Sequence, residues 1–397
     1  MKRSALFFRL KCLFIVFAIA KLAISCSCER AEELSSLPIE ENMNKSSMLR
    51  LSDYASEIEY IPLQTLDNAL LAGHEYLALS PEYFITFGKE CIVFNREGEF
   101  VRKISNEGKG PGEFMSAYSS YLYPVNQLIY FPSTAYEKIN VYSLENELLN
   151  EIIRPQPSVK VRNISGDLFA VYRGFLHGNA EWNTMVFNSS GDSVSCIINV
   201  YRHEGTGRIV FNEEHIYYYF NDNLHLKEAY SDTIYKFNSE GKHIPKYVLD
   251  LGILSVPASI KNNSESMRSF FSGEYFGVNG IYESDQYLIF KYIHNNKRNN
   301  LMIYNKKTGK IENFPEDERS GGIKNDLDGG PDFIPEHNDN NLFLQKINAF
   351  EFIAHVASEE FRNSNPKYPE KKKELEELAA SLDENDNPVL MLVKLKE

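Results

Sequence analysis

Cys91-Ile-Val-Phe-Asn-Arg-Glu-Gly98 runs straight into Glu99-Phe-Val-Arg-Lys-Ile104. Apolar and polar residues alternate on both sides of an Asn-to-Gly turn, the pattern of two half-buried strands joined by a hairpin. Asn and Gly tolerate the positive φ that such a turn needs. The arrangement recurs four more times. Ile139-Asn-Val-Tyr-Ser-Leu-Glu-Asn146 leads into Glu147-Leu-Leu-Asn-Glu-Ile152, and Met185-Val-Phe-Asn-Ser-Ser-Gly191 into Asp192-Ser-Val-Ser-Cys-Ile197. Thr233-Ile-Tyr-Lys-Phe-Asn-Ser-Glu-Gly241 leads into residues 242–249, and Leu301-Met-Ile-Tyr-Asn-Lys-Lys-Thr-Gly309 into Lys310-Ile-Glu-Asn-Phe314. Successive turns lie roughly 45 to 70 residues apart, the repeat length of propeller blades.

Each hairpin follows another strand-like run rich in aromatics: residues 83–87, 127–131, 168–172, 215–220 and 286–292. Aromatic side chains pack well on a pleated face. A run plus a hairpin plus one more strand makes a four-stranded blade, which gives five blades. A sixth is expected from the chain ends: Asn341–Ile347 and Phe350–Val356 as two strands, Pro388–Lys396 as a third and Ser56–Leu63 as the fourth. Joining both ends in one blade removes the open edges that an unclosed ring would expose. The expected fold is therefore all-β, a six-bladed β-propeller closed by N- and C-terminal strands. Pro366–Leu382 departs from the β pattern. It places Leu375, Leu378, Ala379 and Leu382 at helical spacing and reads as a short amphipathic insertion near the C-terminus.

The front of the chain reads as an address. Lys2, Arg3, Arg9 and Lys11 precede an apolar run, Leu13–Ala20, that is too short to span a bilayer comfortably. This is the layout of a secretory signal peptide. Ala23-Ile24-Ser25-Cys26 resembles the bacterial lipobox, which implies acylation of Cys26 and a signal peptide at residues 1–25. Residues 26–48 are polar, lack an apolar period and read as a flexible tether. The acidic residues from Glu29 onward resemble the surface-export signal of Bacteroidetes lipoproteins. Residues 49–397 remain for the propeller.

The formal net charge is −13, so neutralising phosphates would release few counterions, and nucleic acid is an unsuitable partner. Beyond the signal, Cys26, Cys28, Cys91 and Cys196 show neither a CxxC nor a zinc-finger spacing. Cys91 and Cys196 sit in apolar strand-like runs and are expected to be buried thiols. No cofactor and no metal is expected.

Several stretches resemble one family more closely than a generic propeller. They are Ile58-Glu-Tyr-Ile-Pro-Leu63, Asn95–Ile104, Gly108-Lys-Gly-Pro-Gly-Glu-Phe114, Asn325–Pro335 and Asn387-Pro-Val-Leu-Met391. In this order they are similar to the six-bladed, TolB-like propeller lipoproteins of Bacteroides and its relatives. The resemblance covers nearly the whole mature chain. It implies a membrane-anchored envelope protein at the outer membrane or cell surface, and it implies no particular activity.

Candidate ligand-binding residues follow from position and chemistry. The Gly108–Phe114 run lacks phosphate-loop spacing, and its glycines suit a tight blade-to-blade crossing, with Lys109 and Glu113 as candidates to face the central funnel. Asp326 and Asp328 stand in a Gly-rich cluster of oxygen donors, where Asx turns are favoured over calcium because the EF-hand spacing fails. Arg173 and His177 lie on a strand-end loop, where a cation binds anions and a histidine moves protons, and Arg202-His203 repeats the motif. In Tyr217-Tyr218-Tyr219 the middle ring points opposite to its neighbours. There is no GxSxG, no HExxH and no paired Cys/His arrangement. The expectation is a monomeric binding or scaffolding module at the cell envelope for a protein, peptide or glycan. The alternatives are an extracellular polymer-acting hydrolase or lyase with its site at the funnel, and a structural spacer.

Overall fold

Alternation of buried and exposed side chains along short strands builds six antiparallel sheets. They are seen in a computed structural model that describes residues 34–396 apart from 105–107, 109, 111, 133–137, 156–159, 174–180, 201–213, 262–267, 270–271 and 317–321. Blade 1 is Tyr76–Leu79, Tyr83–Phe87, Cys91–Asn95 and Phe100–Ile104, ordered from the channel outward. Blade 2 is Tyr121–Tyr123, Leu128–Pro132, Lys138–Tyr142 and Leu148–Ile153. Blade 3 is Val161–Ser165, Leu168–Tyr172, Trp182–Asn188 and Ser193–Ile198. Blade 4 is His215–Phe220, Asn223–Glu228, Thr233–Phe237 and His243–Asp250, and blade 5 is Gly277–Glu283, Tyr287–His294, Lys297–Asn305 and Ile311–Phe314.

Blade 6 closes the ring. His337–Asp339 is innermost, then come Leu342–Ile347 and Val389–Leu395, and the N-terminal strand Ala55–Pro62 lies outermost. Ile58 faces Val393, Tyr60 faces Met391 and Pro62 faces Val389 in antiparallel register. The first strand is not Phe350–Val356, as the sequence suggested, but the short polar run His337–Asp339. Residues 349–357 form a helix, because Asn348 caps it and the Glu351 carboxylate accepts the Asn348 backbone N–H at 3.3 Å. Two further helices follow, Glu359–Asn363 and Lys371–Ser381. Phe352, Phe361 and Leu375 bury themselves on the seam between blades 5 and 6.

The hairpin turns explain the recurring Asn. The Asn95 side-chain oxygen accepts the N–H groups of Glu97 and Glu99 at 3.1 and 2.8 Å. Asn188 and Asn238 bind their own turns in the same way, and Ser143 does so with its hydroxyl. Gly98, Gly191, Gly241 and Gly309 close these turns at φ of 71° to 88°, with Asn146 at 70° in blade 2.

Apolar residues gather in wedges between neighbouring blades. One wedge joins Ile85, Val93, Ile129 and Phe131 across blades 1 and 2, and another joins Leu77, Phe94, Leu344 and Leu390 across blades 6 and 1. Residues 35–48, expected as part of the tether, belong to the folded body instead. Ser35–Pro38 lies along His243–Asp250 as a fifth strand of blade 4, a helix covers Ile39–Met43, and Leu37 and Ile39 are fully buried. Their few apolar residues have no period, but Leu37 and Ile39 fill the groove between blades 4 and 5, with Met43 packed against them. Cys91 is buried as expected, whereas Cys196 is exposed, because it sits on the outermost strand of blade 3 with its side chain outward. The signal peptide, Cys26 and Cys28 lie outside the described residues, and no described helix is long and apolar enough to cross a membrane.

Closure by Ala55–Pro62 and Val389–Leu395 has a measurable consequence. Met391 is fully buried within that pairing, so Met391→Ala is expected to cost about 2–5 kcal/mol through lost burial and a residual cavity. Urea unfolding monitored by circular dichroism measures it, and an unchanged midpoint would show that the closing blade carries no stability.

Candidate functional site

Four antiparallel strands return the chain to the face on which the blade began. The next inner strand then starts at that same face. All six inner strands therefore begin on one face, here called the crossing face, and end on the other. Together they enclose a central channel of about 570 Å³, a volume suited to a small ligand or a chain end.

Each strand start contributes to the crossing-face mouth. Tyr76 opens blade 1, and Tyr118 precedes the first strand of blade 2. Both line the channel and stay 54% and 41% exposed, so two rings are offered to solvent at the rim. Blade 3 contributes Lys160 and Arg162. The Arg162 guanidinium lies 4.4 Å from the centre of the Tyr121 ring and donates to the Val161 carbonyl at 2.7 Å. That ring is held in turn, because the Tyr121 hydroxyl donates to the Asn163 side chain at 2.7 Å and the Tyr219 hydroxyl to the Asn163 carbonyl at 2.9 Å.

His215, the first residue of blade 4, lines the same wall. Its ring stacks on Tyr172 at 4.0 Å and meets Tyr217 edge-on at 4.8 Å. Burial first, and then the charges of Lys160 and Arg162, hold its pKa well below the usual histidine value, so it is neutral. Behind it the seam of blades 3 and 4 buries Asn183, Thr184, Lys227 and Glu228. Burial pushes the Glu228 carboxyl up to about 7 against the pull of Lys227. Three blades away, across the channel from Arg162, stands Glu336, whose pKa is raised by burial and restrained by Lys346 and Lys291. At the opposite mouth Asp222 lies in the turn after the blade 4 inner strand and Asp339 ends that of blade 6, and burial and then Asp222 raise Asp339.

A second charged cluster fixes the wall between blades 4 and 5. Glu283, fully buried, accepts from Tyr218 at 2.9 Å, Tyr247 at 2.8 Å, Lys246 at 3.1 Å and Lys306 at 2.6 Å. The register shift opposite Ile234 and Tyr235 leaves Lys246 as an extra residue, which brings it and Tyr247 to the same carboxylate. His225 accepts from Lys246 through Nε2 at 3.2 Å and donates through Nδ1 to the Asn223 carbonyl at 3.0 Å. Burial lowers the His225 pKa to about 3, so it is uncharged at neutral pH. Burial alone would raise Glu283, but His225, Lys246 and Lys306 together bring it down to about 2. Burial first, and the neighbouring charge of Lys246 besides, shift Lys306 downward against the pull of Glu283.

Of the candidate residues read from sequence, the four that are described, Glu113, Arg173, Asp326 and Asp328, do not line the channel. Glu113 turns onto its own loop and accepts the Gly110 N–H at 2.6 Å, while the next residue, Phe114, stacks on Phe131 at 4.1 Å. Arg173 lies over Trp182 at 5.5 Å, outside the channel lining. Asp326 accepts the Ser52 N–H and hydroxyl at 2.9 and 2.7 Å. Asp328 accepts from Asn325 at 2.7 Å and from Gly330 at 2.9 Å. Both aspartates therefore tie the loop before blade 6 together. Lys109, His177 and Arg202-His203 lie outside the described residues. Tyr218 does point away from its neighbours, toward Glu283. Arg162, His215 and the rim tyrosines were missed as site residues. Their signal is positional, since each starts or just precedes an inner strand.

A family model described as a domain of unknown function, DUF4934, matches residues 34–394. Among solved structures, a protein of Bacteroides fragilis NCTC 9343 described as exported, BF0058, is similar at 17% identity and a TM-score of 0.68, over 91% of this chain and 99% of its own. A DUF4221 family member from Bacteroides vulgatus is similar at 10% identity and a TM-score of 0.50, over 86% and 97%. At these identities the likeness shows the fold. No curated protein matches the chain.

The Glu283 cluster carries its own prediction. Glu283→Gln leaves two lysines without their counter-charge and is expected to cost about 3–5 kcal/mol. The carboxyl pKa is depressed in the folded state, so its stabilisation is full above the unfolded value near 4.5 and is lost as pH falls toward about 2. Unfolding free energy measured from pH 5 to pH 2 should fall more steeply in the wild type than in the variant. Parallel curves would contradict the assignment.

Proposed function

The chain belongs to the DUF4934 family, and on that premise we propose that it is a non-enzymatic binding module of the cell envelope that takes the end of a glycan into the crossing-face mouth of its channel. The observation that carries the reading is the rim itself. Tyr76 and Tyr118 leave large ring faces in solvent above a channel of about 570 Å³, wide enough for a few sugar units and too narrow for a folded protein surface. Aromatic faces with a few placed polar groups below them form the usual lining of such sites. The alternative of polymer cleavage needs an acid and a base that reach one ligand. Glu228 is buried behind the wall, and Glu336 and Asp339 stand at opposite ends of the short blade 6 inner strand, which favours binding over turnover.

The same reading places the protein on a membrane through acylated Cys26, with residues 26–34 as the remaining tether. The exported description of the Bacteroides fragilis neighbour is consistent with that address.

Two measurements test this. The full chain, extracted in detergent, is expected to bind members of an oligosaccharide array, and Tyr76→Ala and Tyr118→Ala are each expected to weaken that binding up to about tenfold. Both variants should melt with the wild type because the side chains are exposed. Undiminished binding by both variants, or release of cleaved saccharide, counts against the reading. Separately, Cys26→Ser should move the protein from the membrane to the soluble fraction of fractionated cells, and a variant that stays membrane-bound excludes the anchor.

A further inference from the structure

The channel wall made by blades 2, 3 and 4 has a chemistry more specific than the rim. Arg162 uses one guanidinium N–H on the Val161 carbonyl and one face on Tyr121. Among the described residues no carboxylate stands within ion-pair distance of it, in a chain of net charge −13. A guanidinium carries five N–H donors, so four are left to point elsewhere. Lys160 adds a second cation to the same wall. His215, only 9% exposed, lines this wall with a buried Nδ1 that has no hydrogen-bond partner. A buried polar atom without a partner costs free energy unless something meets it. Asn279, on the blade 5 wall, donates through Nδ2 to the Arg298 carbonyl at 3.0 Å, while its buried Oδ1 accepts from nothing. An idle carbonyl oxygen calls for a donor such as a sugar hydroxyl.

We infer that the crossing-face mouth selects an acidic saccharide, with the anionic group seated on Arg162 beside His215 and a ring hydroxyl donating to Asn279. A hydroxyl-poor anion would leave Asn279 idle, and a neutral sugar would leave Arg162 idle. An acidic peptide satisfies Arg162 but brings no array of hydroxyls. The inference rests on the channel being the binding site and adds the class of ligand.

The test uses the full chain in detergent and matched oligosaccharides that are neutral, uronate-bearing or sulfated, with acidic peptides alongside. The wild type should bind uronate- or sulfate-bearing members at least about tenfold more tightly than their neutral counterparts. Which of the two is preferred identifies the anion. Arg162→Gln should abolish most of that difference at an unchanged melting temperature, and Arg162→Lys should restore part of it. Should Arg162→Gln not fold, raising the salt concentration on the wild type gives the same readout, because attraction to an anion weakens with ionic strength. Equal affinity for neutral and acidic members, with Tyr76→Ala still weakening both, overturns the inference and leaves the channel reading standing. Binding of acidic peptides alone overturns the saccharide assignment. No binding to any probe removes both.

Discussion

The ring holds because its first and last strands are hydrogen-bonded to each other. No blade has a core of its own, since the apolar side chains lie in wedges shared by neighbours. A wedge shared by two blades is buried only while both stay in place, so one open seam would expose its two flanks and leave two raw sheet edges. Ala55–Pro62 and Val389–Leu395 prevent this with seven residues paired on each side. The loop around Asp326 and Asp328 and the helices carrying Phe352, Phe361 and Leu375 reinforce that same seam.

Closure also creates the channel, and the channel walls contain most of the unusual chemistry. The seam of blades 4 and 5 buries Glu283 with two lysines and two tyrosines, so every group in it has a partner. The wall of blades 3 and 4 is the opposite case. It presents a guanidinium on an aromatic face and a neutral histidine whose buried Nδ1 no protein group meets. Closely related building materials thus give a rigid strut in one seam and an unsaturated surface in the next. Unsaturation of this kind is costly to keep unless a ligand meets it.

Much of this architecture was legible in the sequence, and the illegible parts share a physical reason. The outer hairpins announce themselves because one face is apolar, the other polar, and an Asn or Ser anchors each turn. Inner strands such as Val161-Arg-Asn-Ile-Ser165 and His337-Asn-Asp339 are short and border a polar channel, so they carry no alternation to read. That is also why Arg162 and His215 carry no local signal, and why the apolar Phe350–Val356 resembles the missing strand more than His337–Asp339 does. The cap pair Asn348 and Glu351 was the available signal for a helix there. In blade 4 the aromatic run His215–Phe220 is the innermost strand, whereas the corresponding runs of blades 1, 2, 3 and 5 are second, because its rings line the channel. Leu37 and Ile39 were hidden in a polar stretch because two isolated apolar residues have no period.

Native-state hydrogen exchange by mass spectrometry tests the closure directly. The amides of residues 57–61 and 390–393 should exchange only through global unfolding, at the same free energy as the central strands of blades 1 and 5. Fast exchange of those terminal segments while the other blades stay protected would show a ring that stands open, and the account of the channel would fall with it.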